Sequence, residues 1–251
     1  MTAVPLAVIA LIEEISLNAL PALQTFFYDG WIARMSNSYS RRANSVQTFG
    51  ESIRALDEKI AHCEKLYRQN NLPVIFKMTA ASQPPHLDQE LQARGYQSEG
   101  RTSVQTCALD AISMIETSHI HIHETWNDEW YAEFCRMNNP APAQRETLKK
   151  MLQLILPRTG FALLHEEHGA RACGLGVLQE NYLGLFDIVV DANARRRGYG
   201  KQLVTQVLAW GKANGAQLAY LQVVSNNEPA LNLYAQLGFV EKYQYWYRVR
   251  V

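Results

Sequence analysis

The chain has 251 residues, 47% of them hydrophobic and 19% charged, a globular composition that excludes a disordered chain and leaves room for two domains of ordinary size. Lys plus Arg and Asp plus Glu both number 24, so the chain as a whole has no electrostatic reason to seek nucleic acid or an anionic membrane, and any anion site must be local. The four cysteines, Cys63, Cys107, Cys135 and Cys173, lie far apart with no C-x-x-C pair, which indicates neither a disulfide framework nor a zinc site and points to reduced, mostly buried thiols.

Residues 3–12 are apolar but run straight into Glu13 and Glu14, with no basic region before them and no small-residue cleavage site. The run is too short for a bilayer, which takes about 20 residues. It reads as a core-packing segment of a cytoplasmic protein. A strand is expected over 31–35, and Leu56, Ile60, Cys63 and Tyr67 mark a helix that stops near Asn70 and Asn71. A strand over 73–78, a short helix over 86–93 ending in Arg94-Gly95-Tyr96, and a strand over 102–108 complete the first half.

The second half alternates strands and helices more clearly. A strand over 119–123 is followed by a helix over 126–137, a break at 138–142 and a helix over 144–156 with Leu148, Leu152 and Ile155 on one stripe. Three strands at 161–164, 172–178 and 183–190, separated by polar or glycine-containing turns at 166–169 and 179–181, read as a meander. A helix over 201–213 buries Leu203, Val204, Val207 and Leu208 and ends at Asn214-Gly215. A strand over 217–224, a helix over 228–237 stopped by Gly238, and an aromatic strand over 241–249 finish the chain. The fold class is α/β with a mixed sheet. The first half repeats the tail of this order in weaker form, so the halves read as degenerate copies of one unit joined near 110–118, giving domains at 1–115 and 116–251.

The stretch that carries chemistry runs from Leu183 to Lys201. An apolar strand is followed by a polar turn and then by Arg195-Arg196-Arg197-Gly198-Tyr199-Gly200 opening an amphipathic helix. The first N–H groups of a helix have no intrahelical partner and its dipole favours negative charge there, so a pyrophosphate would fit. Gly198 and Gly200 allow close backbone approach, and the arginines add charge-assisted hydrogen bonds. A P-loop needs a glycine where Arg195 stands and Ser or Thr where Gln202 stands, so that reading fails. A Rossmann fingerprint needs a third glycine where Leu203 stands, and a different strand context. The remaining competitor is an exposed basic turn with a glycine helix cap.

Arg195, Gly198 and Gly200, followed by Asn227, Ala230, Leu233-Tyr234 and Leu237-Gly238-Phe239, resemble the two signatures of the GNAT (Gcn5-related N-acetyltransferase) superfamily, Q/R-x-x-G-x-G/A and N-x-x-A-x-x-L-Y-x-x-x-G-F, in the family's order and spacing. The resemblance covers about residues 119–251. It implies a GNAT-type fold, with a degenerate N-terminal copy, and an N-acetyltransferase using acetyl-CoA as cosubstrate without a metal. It further implies that the N–H groups of Arg196, Arg197, Gly198, Tyr199, Gly200 and Lys201, with Arg195, hold the pyrophosphate. The backbone of Ile188, Val189 and Val190, splayed by a bulge in that family, is implied to pair with the pantetheine arm. Asn227 is implied to reach the pantetheine, and Tyr234 to protonate the leaving thiolate with an ordinary phenol pKa of about 10.

An amine acceptor is mostly protonated at neutral pH, so attack on a thioester needs a proton sink. Asp187, in an otherwise apolar strand, is the candidate; unless a bulge intervenes, alternation turns it away from Ile188 and Val190, and a structural hydrogen-bonding role is the other reading. Glu180 is a weaker second. His119, His121 and His123 line one strand face, but no converging third element accompanies them and they read as a solvated face rather than metal ligands. Arg34, Arg41 and Arg42 read either as structural groups or as a polar wall for the acceptor. Tyr243, Tyr245, Trp246 and Tyr247 read as sheet packing.

The expected partner is therefore a small-molecule or peptide amine, with neither nucleic acid nor membrane, and the sequence leaves the oligomeric state open. Two alternatives stand beside it: a non-catalytic acyl-CoA sensor, and a tandem-GNAT transferase acting on a thiol precursor or aminoacylated acceptor.

Overall fold

The computed structural model describes residues 4–112, 119–167 and 169–250. Two sequence expectations, the joint at 110–118 and the turn at 166–169, lie partly outside them. In chain order the elements are α1 (Leu6–Ala19), β1 (Gln24–Tyr28), β2 (Trp31–Met35), β3 (Val46–Gln47), α2 (Leu56–Gln69), β4 (Val74–Met78), α3 (Leu87–Ala93) and β5 (Gln97–Ala108). There follow β6 (Ile120–His123), α4 (Asp128–Asn138), α5 (Pro142–Gln153), β7 (Arg158–Glu166), β8 (Gly169–Gln179), β9 (Tyr182–Val190), α6 (Tyr199–Ala213), β10 (Leu218–Val224), α7 (Glu228–Gln236) and β11 (Val240–Arg250). The chain groups into two compact units. Unit 1 takes Met1–Ser103, Glu146–Leu154 and Tyr243–Val251, and unit 2 takes Val104–Arg145 and Ile155–Lys242.

The order of strands and helices is the one the hydrophobic periods give, with local differences that have physical causes. The apolar run near the N-terminus is the start of a helix, α1, which buries Ile9, Ile12, Ile15, Ser16 and Ala19 along one stripe. Neither β1 nor the two-residue β3 was expected. Strand β1 arises because Asp29 and Gly30 both take positive φ, 46° and 79°, the two-residue turn that joins twisted antiparallel strands. The expected break at 138–142 is shorter, because Asn139 closes α4 in the left-handed region and Pro142 opens α5, where a missing N–H costs nothing.

In unit 1, β1, β2 and β3 pair antiparallel, β3 pairs parallel with β4 across α2, and β4 pairs antiparallel with β11, with Met78 opposite Trp246. Trp31, Tyr67, Phe76, Met78, Leu91 and Tyr96 form the apolar core. A polar group is buried with it: the Lys77 ammonium meets the Glu13 carboxylate and stands 3.9 Å from the Tyr245 ring centroid, and Tyr243 Oη donates to Glu13 Oε1 at 2.8 Å.

Strand β11 is further held by Asp88, which accepts from Arg248 Nε at 2.8 Å, Arg248 Nη2 at 2.7 Å and Trp246 Nε1 at 2.7 Å. The Arg248 hydrogen bonds hold the Asp88 carboxyl below its ordinary value of 3.8. A carboxylate with a depressed folded pKa stabilises above its unfolded pKa and loses that contribution as pH falls through the folded value. Asp88→Asn is therefore expected to lower the thermal midpoint by a few degrees at neutral pH. Calorimetry in acid should show the deficit shrinking below the ordinary carboxylate value, where the parent protein loses the same interaction.

In unit 2, β6, β7, β8 and β9 form an antiparallel meander, and β9 pairs parallel with β10 across α6. The core includes Leu164, Leu185, Leu203, Val204, Val207, Leu221 and Phe239. Helices α6 and α4 take opposite faces of the meander. Gly160 faces Trp210 of α6, and the next residue, Phe161, packs at 5.2 Å against Trp130 of α4. All four cysteines are free thiols and buried.

Candidate functional site

The site is built where β9 ends and α6 begins. Cys173 pairs with Val189 and Leu175 with Phe186, so Gly174 alone stands opposite both Asp187 and Ile188. This is a β-bulge, with Asp187 at φ 51° in the left-handed region that Asp tolerates. A Cβ at Gly174 would come within 2.5 Å of Ile188 Cδ1, so any larger residue here would make the Ile188 side chain shift. The parallel pairing of β9 with β10 runs from Tyr182 opposite Leu218 to Leu185 opposite Leu221 and ends there. From Phe186 to Val190 the backbone of β9 is thus past its ladder with β10, and Asp187, Ile188, Val189 and Val190 are all half-buried.

Asp191 closes the strand. Its carboxylate accepts from Asn193 N at 2.9 Å and pairs with Arg136 Nη1 at 2.5 Å, while Arg136 Nη2 donates to Ala170 O at 2.8 Å. The Arg136 hydrogen bond, with that of the Asn193 amide behind it, holds the Asp191 carboxyl below its usual range. This ties α4 to the end of β9 and fixes the exit of the chain. After a short 3-10 turn at Ala192–Ala194, Arg195, Arg196 and Arg197 are exposed. Arg196 takes φ 62° and Gly198 takes φ 83° as the N-cap of α6, with no side chain capping the helix.

The first intrahelical bond of α6 is Gln202 N to Gly198 O, 3.0 Å, so the N–H groups of Tyr199, Gly200 and Lys201 stand ahead of the helical ladder. Left-handed residues just before a helix turn successive amides toward one concavity, which is the geometry of an anion nest. A side chain on Gly198 would be strained at that φ, and one on Gly200 would meet Leu233 Cδ2 and Val190 Cγ2 at 3.4 Å. The donor set fits a diphosphate: backbone amides at a helix N-terminus, no competing cap, and three exposed guanidinium groups beside them.

Asn227 is the N-cap of α7, its side chain accepting from Ala230 N at 3.3 Å, which leaves its amide NH2 as the donor end. Tyr234 is 9% exposed and packs edge-on against Phe239, with centroids 5.8 Å apart. Burial pushes its phenol up to about 12, which corrects the ordinary value expected from sequence. The Ser225 hydroxyl, in the connection from β10 to α7, is buried without a hydrogen-bond partner, a polar group that periodicity does not flag.

Other sequence candidates are placed elsewhere. Glu180 is exposed at φ 53° in the turn between β8 and β9. Arg34 is not a pocket wall. Its guanidinium is buried in unit 1, donating to the carbonyls of Arg42 (2.8 Å), Leu17 (3.3 Å) and Leu20, and burial lowers its pKa to about 10. Arg41 pairs with Glu99 at the surface. His119 Nε2 meets Gln202 Oε1 at 3.2 Å, and His121 lies 6.0 Å from His165, itself 3.0 Å from Glu129. Among the described residues no three His, Cys, Asp or Glu side chains converge on a metal-sized site. No helix among them is long and apolar enough to cross a membrane.

Residues 7–248 match the family described as "Probable histone acetyltransferase Rv0428c C-terminal". The chain is 27% identical over 243 residues to "Uncharacterized N-acetyltransferase YobR" of Bacillus subtilis (strain 168), covering 95% of this chain and 97% of the relative. Among solved structures it is similar to a GCN5-related N-acetyltransferase from Kribbella flavida, with TM-score 0.69, 13% identity, and 96% and 94% of the two chains covered. It is also similar to a tandem GNAT protein from the clavulanic acid biosynthesis pathway, with TM-score 0.62, 13% identity, and 82% and 75% covered. At such identities the structural likeness speaks for the fold, while the family match spans nearly the whole chain. The chain therefore belongs to the Rv0428c C-terminal family, within the GNAT superfamily of acyl-CoA-dependent acyltransferases.

Proposed function

We propose that the protein is an N-acetyltransferase that moves an acetyl group from acetyl-CoA directly to the primary amine of a small-molecule or peptide acceptor. The observation that carries this reading is the uncapped N-terminus of α6, with Arg196 and Gly198 in the left-handed region, directly after a bulged strand whose ladder has ended. Acetyl-CoA supplies an activated thioester to an amine. The amides of residues 196–201 and the Arg195, Arg196 and Arg197 guanidinium groups hold its diphosphate. The backbone of Ile188, Val189 and Val190 aligns the pantetheine arm, and Asn227 donates to it.

Asp187 takes a proton from the acceptor ammonium through an intervening water, so that the neutral amine attacks the thioester carbonyl, and Tyr234 supplies a proton-bearing donor to the departing sulfur. With the Tyr234 phenol near 12, full transfer to a thiolate, whose ordinary pKa is about 8.5, is uphill. The hydroxyl therefore acts by hydrogen-bonding the charge that develops as the C–S bond breaks, and solvent completes the protonation.

We propose further that residues 1–115 are a degenerate copy and 116–251 the catalytic domain. In unit 1, β3, α2 and β4 repeat the parallel pairing that β9, α6 and β10 make in unit 2. Helices α3 and α7 end alike: Tyr96 N donates to Leu91 O and Phe239 N to Tyr234 O, both at 3.0 Å, across Gly95 (φ 84°) and Gly238 (φ 83°). The first turn of α2, however, carries Asp57 and Glu58, which repel an anion where α6 has Lys201.

The test is calorimetric titration with acetyl-CoA, CoA, NADPH and ATP. Acetyl-CoA and CoA should bind and the nucleotides should not. Gly198→Glu, which strains the cap and sets a carboxylate in the nest, should weaken acetyl-CoA binding by about 100-fold or more. Absence of binding to the unaltered protein would end this reading of the site.

A further inference from the structure

Strand β1 ends the strand order of unit 1, and among the described residues nothing pairs with its outer edge. Its register with β2 fixes which backbone groups are spare. Tyr28 and Trp31 flank the two-residue Asp29-Gly30 turn, and in such a hairpin the flanking pair exchanges hydrogen bonds. By alternation Tyr28, Phe26 and Gln24 spend their amides on β2, and the N–H and C=O groups of Thr25 and Phe27 point outward.

Natural sheet edges are blunted by charge, proline, a bulge or a covering element. The sequence Gln24-Thr25-Phe26-Phe27-Tyr28 has none of these, and Phe27 is 74% and Phe26 44% exposed. The turn that closes this edge strand is anchored. The buried Lys59 ammonium donates to Asp29 O at 2.6 Å and stands 4.1 Å from the Trp31 ring centroid. The Asp29 carboxylate accepts from Ile53 N at 3.1 Å and Arg54 N at 3.0 Å. That holds Ile53, 97% exposed, beside the turn. On one face His62 stacks on Tyr28 at 3.9 Å and on Phe26 at 5.8 Å.

We infer that this edge is a self-association surface on which β1 pairs antiparallel with β1 of a second copy, about a two-fold axis through Phe26. The occupant follows from the pattern of free groups. A two-fold at Phe26 sets Thr25 opposite Phe27 of the second copy and Phe27 opposite its Thr25, so every outward N–H meets an outward C=O. Phe26 then faces its own counterpart as a non-hydrogen-bonded pair, the closest cross-strand position and a favourable one for aromatic rings. Equal numbers of acidic and basic residues leave no net charge to oppose the approach. A five-residue edge is small against the roughly 1,200 Å² of a standard interface, so the association is reversible.

Sedimentation equilibrium over a concentration series tests this. The average mass should rise from 28.5 kDa toward twice that value. Phe27→Pro removes one outward N–H at an exposed edge position and should leave a monomer with the parent's circular dichroism and thermal midpoint. Phe26→Cys, incubated with oxidised glutathione, should form a disulfide-linked dimer. The parent should not, because its own cysteines are buried. A single 28.5 kDa species at every concentration overturns the inference, as does a dimer that persists in Phe27→Pro. A dimeric Phe26→Cys protein that fails to cross-link overturns the two-fold register.

Discussion

Tyr234→Phe is expected to lower kcat by about 100-fold or more with any amine that is turned over, in the range for loss of a hydrogen-bond donor to charge developing in the transition state, while KM for acetyl-CoA changes little. The side chain is 9% exposed and packs on Phe239, and phenylalanine keeps that packing, so the loss belongs to the hydroxyl and not to the fold. Because burial raises the phenol to about 12, its neutral form persists well past the ordinary value of 10.0, and the parent's kcat should show no alkaline fall through that value from ionisation of this group. A variant with full kcat removes Tyr234 from the chemistry.

Lys77→Met is expected to destabilise unit 1 by about 3–5 kcal/mol, the cost of leaving one member of a buried ion pair without the other. Lys77 is 4% and Glu13 0% exposed, so neither has water to fall back on. After the substitution Glu13 keeps only the Tyr243 hydroxyl among the partners described here, and the contact of the ammonium with the Tyr245 ring is lost as well. Thermal unfolding followed by calorimetry should show a midpoint lower by on the order of 10 °C. Adding Glu13→Leu should recover much of the loss, because two apolar groups of similar volume need no compensation. Recovery that does not occur would mean that Glu13 serves other groups more than it serves Lys77.

How legible this was in the sequence differs between the units. In unit 2 the apolar period is strong and the punctuation explicit: Gly215 and Gly238 both stand at positive φ just beyond α6 and α7. There the strands, the helices and the glycine-containing loop before α6 follow from pattern alone. The bulge does not, because Asp187 and Ile188 share one partner only once β8 is aligned beside β9, and alternation within one strand cannot reveal it. The Tyr234 shift was hidden for a similar reason, since it depends on how deeply packing buries the ring.

In unit 1 the Asp29-Gly30 turn between Phe26-Phe27-Tyr28 and Trp31-Ile32-Ala33 was a readable hairpin signal, and weighing it would have found β1. Arg34 could not have been placed. A guanidinium satisfied by the carbonyls of Arg42, Leu17 and Leu20 depends on backbone groups that carry no mark in the side-chain sequence.

The pairing of Met78 with Trp246 and of Val74 with Arg250 has a consequence for biosynthesis. Unit 1 begins first on the ribosome, yet the part of β11 that lies against β4, Trp246–Arg250, is made after every residue of unit 2. Until translation passes residue 250, β4 has one open flank, and Asp88, Glu13 and Lys77 wait for Arg248, Tyr243 and Tyr245. The segment made first is thus among the last to become protease-resistant, and an early stop codon late in the message would unfold the beginning of the protein rather than its end.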